Sequence, residues 1–198
     1  MLHGALPFLG PRRPRFALET ERLVLRPPRM DDHAVWVRLR RDSAPFLKPW
    51  EPVWAPDHFT RAAFRNRVRW AERMVEEGRG LPMFLFRASD DQLLGALTLD
   101  NLRRGPAQAA TLGYWIGEKH ARRGYMAEAL GAVRDHAFGV MGLSRLEAAT
   151  LPENAASRGL LERSGFRHEG RAEAYLQIGG RWRDHVLYAA LRGDRLPG

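Results

Sequence analysis

Residues 114–127 read Tyr-Trp-Ile-Gly-Glu-Lys-His-Ala-Arg-Arg-Gly-Tyr-Met-Ala, a strand pattern that passes through a loop of arginines and glycine into a helix pattern. A helix that begins in this way leaves backbone N–H groups unpaired at the positive end of its dipole, which favours an anion. Gly124 lets the backbone approach a phosphate closely, and Arg122 and Arg123 can add charged hydrogen bonds. On these residues alone a second interpretation stays open, in which Gly124 only permits the turn and the arginines are surface residues. The stretch has neither a GxGxxG nor a GxxxxGKS/T pattern, the fingerprints of dinucleotide and nucleoside-triphosphate sites.

After this stretch, helix and strand patterns alternate. The helix that begins near Gly124 keeps five apolar side chains on one face: Ala129, Leu130, Val133, Ala137 and Val140. Residues 145–150 are predicted as a strand, residues 155–164 as a helix, and residues 167–176 and 181–191 as two further strands. Gly179 and Gly180 separate that last pair, and glycines tolerate the positive φ values that a tight hairpin turn needs.

Before residue 114, the pattern predicts strands at residues 23–26, 83–87, 93–102 and 111–117, with a hairpin turn at residues 89–91. One predicted helix is capped by Asp31 and runs to about Arg41, with Val35, Trp36 and Leu39 on one stripe. A second covers residues 58–77 and turns Phe64, Val68 and Ala71 inward. The prolines at 45, 49, 52 and 56 exclude a continuous helix between them. The sum is a mixed α/β fold: an antiparallel meander followed by a β-α-β-α-β-β unit, with about seven strands in one mixed sheet and helices on its faces.

Length and composition predict one soluble, cytoplasmic domain. The chain has 198 residues, 44% of them hydrophobic and 28% charged, which is ordinary for a globular protein. We expect a loosely ordered segment over residues 1–17, a domain over residues 18–192 and a tail over residues 193–198. No apolar run is long enough to span a bilayer, so no membrane partner is expected. The absence of cysteine excludes disulfides, thiolate nucleophiles and thiolate zinc sites, and the seven histidines lack HxxxH or HxH spacing, so no metal is predicted.

The formal net charge of +9 favours polyanionic partners. A weak contact with ribosomal RNA or the ribosome would use such a surface, and so would a phosphorylated cofactor. A solvated surface without any partner remains an open alternative. Whether the chain is a monomer or a homodimer is left undecided by the sequence.

A second motif begins at Pro152 and reads Pro-Glu-Asn-Ala-Ala-Ser, followed from Gly159 by Gly-Leu-Leu-Glu-Arg-Ser-Gly-Phe. Asn154 suits a helix N-cap and Gly165 a helix stop, so each motif has a structural interpretation. In this order, residues 113–191 resemble the core of the GCN5-related N-acetyltransferases (GNAT), specifically the RimJ/RimL branch that acetylates N-terminal amines of ribosomal proteins. The resemblance extends upstream through residues 20–26 and the Phe-Leu-Lys-Pro-Trp-Glu-Pro segment at 46–52, and downstream through residues 175–176 and 180–185.

The resemblance implies a sheet splayed in its middle, with acetyl-CoA in the gap between the strands at 111–117 and 145–150. The pyrophosphate would rest on amides near residues 122–127, and the pantetheine would lie along residues 114–117. Asn154 would bind the pantetheine arm, and Ser157 would lie near the thioester sulfur, where it could hydrogen-bond or protonate the departing thiolate. The implied cofactor-binding residues are Tyr114, Trp115, Ile116, Gly117, Arg122, Arg123, Gly124, Tyr125, Met126, Ala127, Asn154 and Ser157. One departure is that Arg122 stands where the family has a glycine two residues before Gly124.

The reaction needs a neutral amine, an oxyanion donor and a proton for the sulfur. Backbone N–H groups near Ile116 and Gly117 suit the oxyanion. An α-amine is roughly 10–20% neutral at pH 7, because its pKa is about 7.7–8.0, so an N-terminal acceptor needs little help from a base.

The identity of a general base is left open by the sequence. Relatives in the branch tend to carry an acidic residue just before the tyrosine at position 175, where this chain has Ala174. Glu173 is one residue earlier and would face away unless a bulge intervenes. Glu51 and solvent are the competing candidates.

The predicted function is therefore acetyl-CoA-dependent N-acetylation, with Ser157, Glu173 and Glu51 as candidate catalytic residues. Trp50, Glu51 and Tyr175 are the candidate substrate contacts. The favoured acceptor is the N-terminal α-amine, alanine or serine, of a ribosomal or other protein. Two alternatives stay open: acetylation of a small amine such as an antibiotic or polyamine, and a non-catalytic module that binds acyl-CoA or the ribosome.

Overall fold

The computed structural model describes residues 16–193. The strands are β1 (Leu18–Glu19), β2 (Leu23–Arg26), β3 (Leu81–Arg87), β4 (Gln92–Arg103), β5 (Ala109–Ile116), β6 (Arg145–Thr150), β7 (Arg167–Ile178) and β8 (Arg181–Leu191). The α-helices are α1 (His33–Asp42), α2 (Ala44–Leu47), α3 (Arg61–Glu76), α4 (Tyr125–Gly139) and α5 (Ala155–Arg163). Short 3-10 turns cover Met30–Asp32, Lys48–Trp50 and Glu118–His120. The predictions for the chain ends fall largely on residues 1–15 and 194–198, outside the described part.

All strands join one sheet in the order β1-β2-β3-β4-β5-β6-β8-β7. Every neighbouring pair is antiparallel except β5 and β6, which are parallel. The predicted mixed sheet is confirmed, and the described residues hold eight strands rather than about seven because the two-residue strand β1 pairs with β2. Gly179 and Gly180 turn the β7–β8 hairpin with φ values of 57° and 80°, as expected.

Strands β5 and β6 separate partway along their length. Their last paired residues are Leu112 and Ala148, so residues 113–116 and residues 149–150 have no partner across this boundary. We call this region, formed by residues 113–116 and 149–150, the fork. It confirms the splayed sheet and leaves one edge of β5 with unpaired backbone groups.

Two apolar cores cover the two faces of the sheet. Helices α4 and α5 pack on one face, where Leu130, Val133 and Leu161 are fully or almost fully buried. Helices α1 and α3 pack on the other face, around Trp36 and Phe64. Because the central strands are buried on both faces, β3 reads as an almost continuous apolar run.

Four local expectations are wrong, each for a simple geometric reason. Val140 is 77% exposed because it follows the last residue of α4. Val35 is 46% exposed because it is turned by about 100° from its buried neighbour Trp36. The helix predicted from residue 58 begins at Arg61, where the Thr60 hydroxyl accepts a hydrogen bond from the Ala63 N–H at 3.1 Å.

The fourth wrong expectation is the cap of helix α1. The helix is preceded by a 3-10 turn in which the carboxylate of Asp32, rather than Asp31, accepts from the Arg29 N–H at 2.7 Å.

In residues 16–193, no helix is both long and apolar enough to cross a membrane.

Candidate active site

Helix α4 follows β5, the strand that forms one side of the fork, and begins with exposed backbone donors. Its N-cap, Gly124, has φ of 80° and supplies no side chain for capping. The first helical hydrogen bond in this turn runs from the Glu128 N–H to the Gly124 carbonyl at 3.0 Å, and within residues 16–193 the N–H groups of residues 125–127 have no acceptor. These donors lie at the positive end of the helix dipole, so the predicted anion-binding geometry is present. Arg122 also adopts a positive φ, 59°, in a region that glycine tolerates better than arginine.

A cluster of hydrogen bonds fixes this helix start against strand β2. Glu128 accepts from the Thr20 hydroxyl at 2.5 Å and from Arg22 Nε at 2.6 Å. Although burial acts in the opposite direction, these hydrogen bonds lower the pKa of Glu128 below its usual value. Arg22 also donates to the carbonyl of Arg123 at 3.2 Å. The Thr20–Arg26 segment, identified by resemblance, therefore positions the amides of α4.

Two hydroxyl groups meet across the fork. The phenol oxygen of Tyr114 on β5 lies 2.7 Å from Ser157 Oγ on α5. Burial raises the pKa of Tyr114 to about 12, so the phenol is protonated at neutral pH. Asn154 caps α5 as predicted, because its side-chain oxygen accepts from the Ser157 N–H at 3.0 Å. The side chain that caps the helix thus also sets the position of Ser157.

Alternate N–H groups of β5 point into the fork. The Gly117 N–H donates to the Leu94 carbonyl at 2.8 Å, so it is not free to bind an oxyanion, contrary to expectation. In an antiparallel ladder the groups that face the partner alternate, which leaves the N–H groups of Tyr114 and Ile116 directed toward the fork. Ile116 therefore remains a candidate oxyanion donor, and Gly117 does not.

Glu51 lies in a tightly bonded cluster on the α1/α3 side of β5. Its carboxylate accepts from Arg40 at 2.7 Å and 2.5 Å, and from the indole nitrogen of Trp54 at 2.6 Å. Arg40 is almost fully buried, and its guanidinium lies 4.3 Å from the Trp54 ring and 4.7 Å from the Trp115 ring. The Glu51 carbonyl also accepts from the Gly179 N–H at 3.0 Å. These contacts suit an anchor that holds the Pro-Trp-Glu-Pro loop against the sheet.

Strand β7 carries the bulge on which the orientation of Glu173 depends. Its register with β8 shifts between Ala172 and Leu176, and Ala174 has φ of 45°. The bulge is held by Asp184, whose carboxylate accepts from the Ala174 N–H at 2.9 Å. Glu173 is exposed at this bulge, and its role as a base stays a prediction.

The other two candidate substrate contacts lie away from the hydroxyl pair. Tyr175, in the β7 bulge, is 45% exposed, and its ring lies 5.7 Å from that of His185. Trp50 closes the 3-10 turn before Glu51 and is half-buried. Within residues 16–193, no hydrogen bond or ring contact joins either side chain to Tyr114 or Ser157.

A cavity of about 250 Å³ opens on the α3 side of β5, and it was not predicted. We call it the α3 cavity, and its lining includes Arg67, Trp70, Thr98, Asp100, Gly113 and Trp115. Burial raises the pKa of Asp100 above its usual value. The only sequence signal for this site is the two-residue spacing of Thr98 and Asp100 in a strand whose other face is apolar.

The structure thus brings residues 114–116, Asn154 and Ser157 to the fork and places the open amides of residues 125–127 at the start of the helix that follows β5. The Glu51 loop lies on the opposite face, and Gly117 is bonded to β4 instead of facing the fork. Among residues 16–193 no group of histidine and acidic side chains is arranged to hold a metal ion.

Comparisons with known proteins agree with this geometry. The sequence matches the acetyltransferase (GNAT) domain over residues 22–167. It is 36% identical over 188 residues to the ribosomal protein uS5-alanine N-acetyltransferase of Escherichia coli, and the match covers 93% of this chain and 95% of that protein.

Two solved structures are also similar. RimJ of Mycobacterium smegmatis in complex with CoA-disulfide is 35% identical with a TM-score of 0.81, covering 89% of this chain and 84% of that one. The ribosomal-protein-S5-alanine acetyltransferase of Vibrio fischeri is 26% identical with a TM-score of 0.83, covering 92% of this chain and all of that one. The chain therefore belongs to the GNAT family and is an N-acetyltransferase that uses acetyl-CoA.

Proposed function

We propose that this enzyme transfers the acetyl group of acetyl-CoA directly to the N-terminal α-amine of a ribosomal protein in the cytoplasm. The observation that carries the proposal is the fork, where the free edge of β5 meets the Tyr114–Ser157 hydroxyl pair, together with the open start of α4, the helix that follows β5. The similarity to enzymes that act on ribosomal protein S5 supports the choice of acceptor.

Acetyl-CoA binds along the free backbone groups of α4 and β5. The diphosphate accepts hydrogen bonds from the N–H groups of residues 125–127, with Arg122 and Arg123 adding positive charge. The pantetheine arm pairs with the open edge of residues 114–116 as an additional strand would. Asn154 uses its side-chain oxygen as a helix cap, which leaves its amide nitrogen to donate to the arm.

Ser157 is the proton donor for the leaving thiolate. When the amine nitrogen attacks the thioester carbon, the C–S bond breaks and the sulfur needs a proton. The Ser157 hydroxyl supplies it and is linked to the protonated Tyr114 phenol, which can replace the proton. The Ile116 N–H is suited to hold the oxyanion that forms during attack.

Acetylation of a short peptide tests this function. A peptide with the first residues of a ribosomal protein, beginning with alanine, is incubated with acetyl-CoA, and both CoA release and peptide mass are measured. We expect one added acetyl group on the α-amine. A matched peptide with a blocked N-terminus and an internal lysine should not react, because a lysine amine is only about 0.04% neutral at pH 7.

Three other outcomes would contradict the proposal. Acetylation of the blocked peptide would assign the enzyme to lysine. Turnover with polyamines or amino sugars alone would assign it to small amines. Tight binding of acetyl-CoA without turnover of any amine would indicate a binding module.

A further inference from the structure

The α3 cavity lies directly on the strand that forms the fork. Gly113 and Trp115 line it from β5, and Thr98 and Asp100 line it from the paired strand β4. Gly113 is paired with Thr98 and contributes no side chain, which leaves the space open. Tyr114 borders the cavity and also contacts Ser157 at the fork. Gly113 and Tyr114 therefore belong both to the fork and to the cavity lining, so the cavity and the fork meet at these two residues.

Two charged side chains line the cavity without neutralising each other. Asp100 is half-buried, and within residues 16–193 its carboxylate has no hydrogen bond or ion pair. Arg67 contacts the face of Trp36 at 5.2 Å and likewise has no acceptor among these residues. The half-buried, unpaired carboxylate of Asp100 is unfavourable unless a ligand supplies the partner, whereas Arg67 is exposed and its guanidinium is available to a ligand. One ligand with a positive and a negative end would satisfy both groups.

The size of the cavity limits that ligand. Pockets for drug-sized molecules usually have volumes of about 300–1,000 Å³. A cavity of about 250 Å³ suits the first residue of a peptide or a small amine, and not a folded segment.

We propose that the α3 cavity binds the N-terminal residue of the acceptor, with Asp100 as the base that accepts a proton from its ammonium group and Arg67 as the donor to its first carbonyl oxygen. This inference rests on the proposed function and adds the residues that recognise the acceptor. Asp100 lies opposite Thr111, and Thr111 and Gly113 are about 7 Å apart along β5. In this proposal the amine lies between Gly113 and Asp100 and gives its proton to the carboxylate directly or through one water molecule.

The proton balance is complete without a further co-reactant. The acceptor ammonium gives one proton to Asp100, and the neutral amine forms the N–C bond to the acetyl carbon. The C–S bond breaks, Ser157 protonates the sulfur, and the second proton that leaves the nitrogen passes through solvent to restore the Ser157 hydroxyl. The amide keeps the third proton, and Asp100 releases its proton to solvent.

Arg67 distinguishes peptide acceptors from polycations. A guanidinium favours a carbonyl or carboxylate oxygen and repels a second ammonium group. The cavity therefore fits an amine with a carbonyl on the neighbouring carbon, which every peptide N-terminus has and a polyamine lacks.

The pH dependence of Asp100→Asn tests the base. At pH 7 about one amine in ten is neutral without help, so we expect kcat/KM for the alanine peptide to fall about tenfold. At pH 9 the amine is mostly neutral, and the loss should shrink to less than twofold. Asp100→Glu restores a carboxylate and should retain more activity at pH 7 than Asp100→Asn. Besides Asp100, the titratable groups bordering the cavity are Arg67 and Tyr114, and both stay protonated over this range.

Controls separate this inference from the proposed function. Asp135→Asn, an exposed change on α4, should leave the rate unchanged, and the affinity of Asp100→Asn for acetyl-CoA should match that of the wild type. A loss that is equal at pH 7 and pH 9, or no loss at all, would overturn the role of Asp100. If the wild type acetylates no peptide, the proposed function itself has failed.

Arg67→Gln tests the carbonyl contact. We expect the KM for the alanine peptide to rise about tenfold with no change in the KM for acetyl-CoA. An analogue whose first carbonyl is replaced by methylene should be a poor acceptor for the wild type. The Arg67→Gln change should not alter the KM for this analogue. Arg65→Gln on the same helix is the control. Equal discrimination between peptide and analogue in wild type and variant would overturn the role of Arg67.

Discussion

The two sides of strand β5 use different chemical groups, backbone on one side and side chains on the other. On the fork side, the site consists largely of backbone groups, supplied by β5 and the first turn of α4 and completed by Ser157. On the α3 side, it consists of side chains from separate segments, including Arg40 from α1, Glu51 from the following loop and Asp100 from β4. The fork side should therefore tolerate side-chain changes that keep the backbone conformation. The α3 side depends on individual ion pairs and on buried rings.

Glu51→Gln should give the largest effect and show that the α3 side depends on side-chain pairing. The change leaves the buried Arg40 without its partner, and breaking such a pair lowers the free energy of unfolding by about 3 kcal/mol. For a chain of this size, thermal unfolding should then occur about 6–12 °C lower.

Glu153→Gln is the matched control, because the Glu153–Arg183 pair is exposed and contributes less than about 1 kcal/mol. If Glu51→Gln leaves thermal unfolding unchanged while kcat falls, Glu51 is the base that the sequence suggested and not an anchor.

Ser157→Ala tests the side chain that we propose as the proton donor on the fork side. We expect kcat to fall about 100-fold with an unchanged KM for acetyl-CoA, because the proton donor is lost. The helix cap should survive, since Asn154 accepts from the backbone N–H of residue 157. Tyr114→Phe should have a smaller effect of the same kind. An unchanged kcat in Ser157→Ala, measured by CoA release, would assign the proton to solvent.

His58 should make the α3 side sensitive to acid. Burial, with Arg40 and Arg67 nearby, lowers its pKa to about 4, so the folded protein holds it neutral. Stability from this group is present above the unfolded pKa of about 6.5 and is lost as the pH falls toward 4. Allowing for solvent screening, the wild type should lose about 1 kcal/mol more than His58→Asn between pH 7 and pH 5. Urea unfolding at both pH values measures this, and equal losses would mean that folding does not lower the pKa of His58.

Arg122→Gly should give the smallest effect and show that the fork side needs the backbone more than the side chain. Relief of the positive φ should raise the free energy of unfolding by up to about 1 kcal/mol. Arg123→Gly, at a position without a positive φ, should lower it instead. A marked loss of acetyl-CoA affinity in Arg122→Gly would show that the arginine side chain, and not the amides, holds the phosphates.

The fork side could be predicted from sequence because its signals are local. Gly124 and Asn154 each lie next to the helix that they start, so spacing along the chain gives the structure directly. The face of α4 was predicted correctly from Ala129 to Ala137 and failed only at Val140, past the helix end.

The α3 side could not be predicted in this way. The pairing of Arg40 with Glu51 joins different elements, and the register of β4 against β5 decides that Asp100 and Gly113 share a cavity. The residues next to Asp100 and Gly113 in the sequence do not indicate how β4 and β5 are paired. The bulge at Ala174 depends similarly on Asp184 from the next strand.

The central claim is that acetyl-CoA is held by the amides at the start of α4. Calorimetric titration of acetyl-CoA into the wild type and Gly124→Val tests it most directly. A side chain at this position would meet Arg22 at 3.2 Å and would strain a backbone with φ of 80°. We predict saturable binding by the wild type and at least tenfold weaker binding by the variant. Equal affinity in the two proteins, or no binding by the wild type, would contradict the claim.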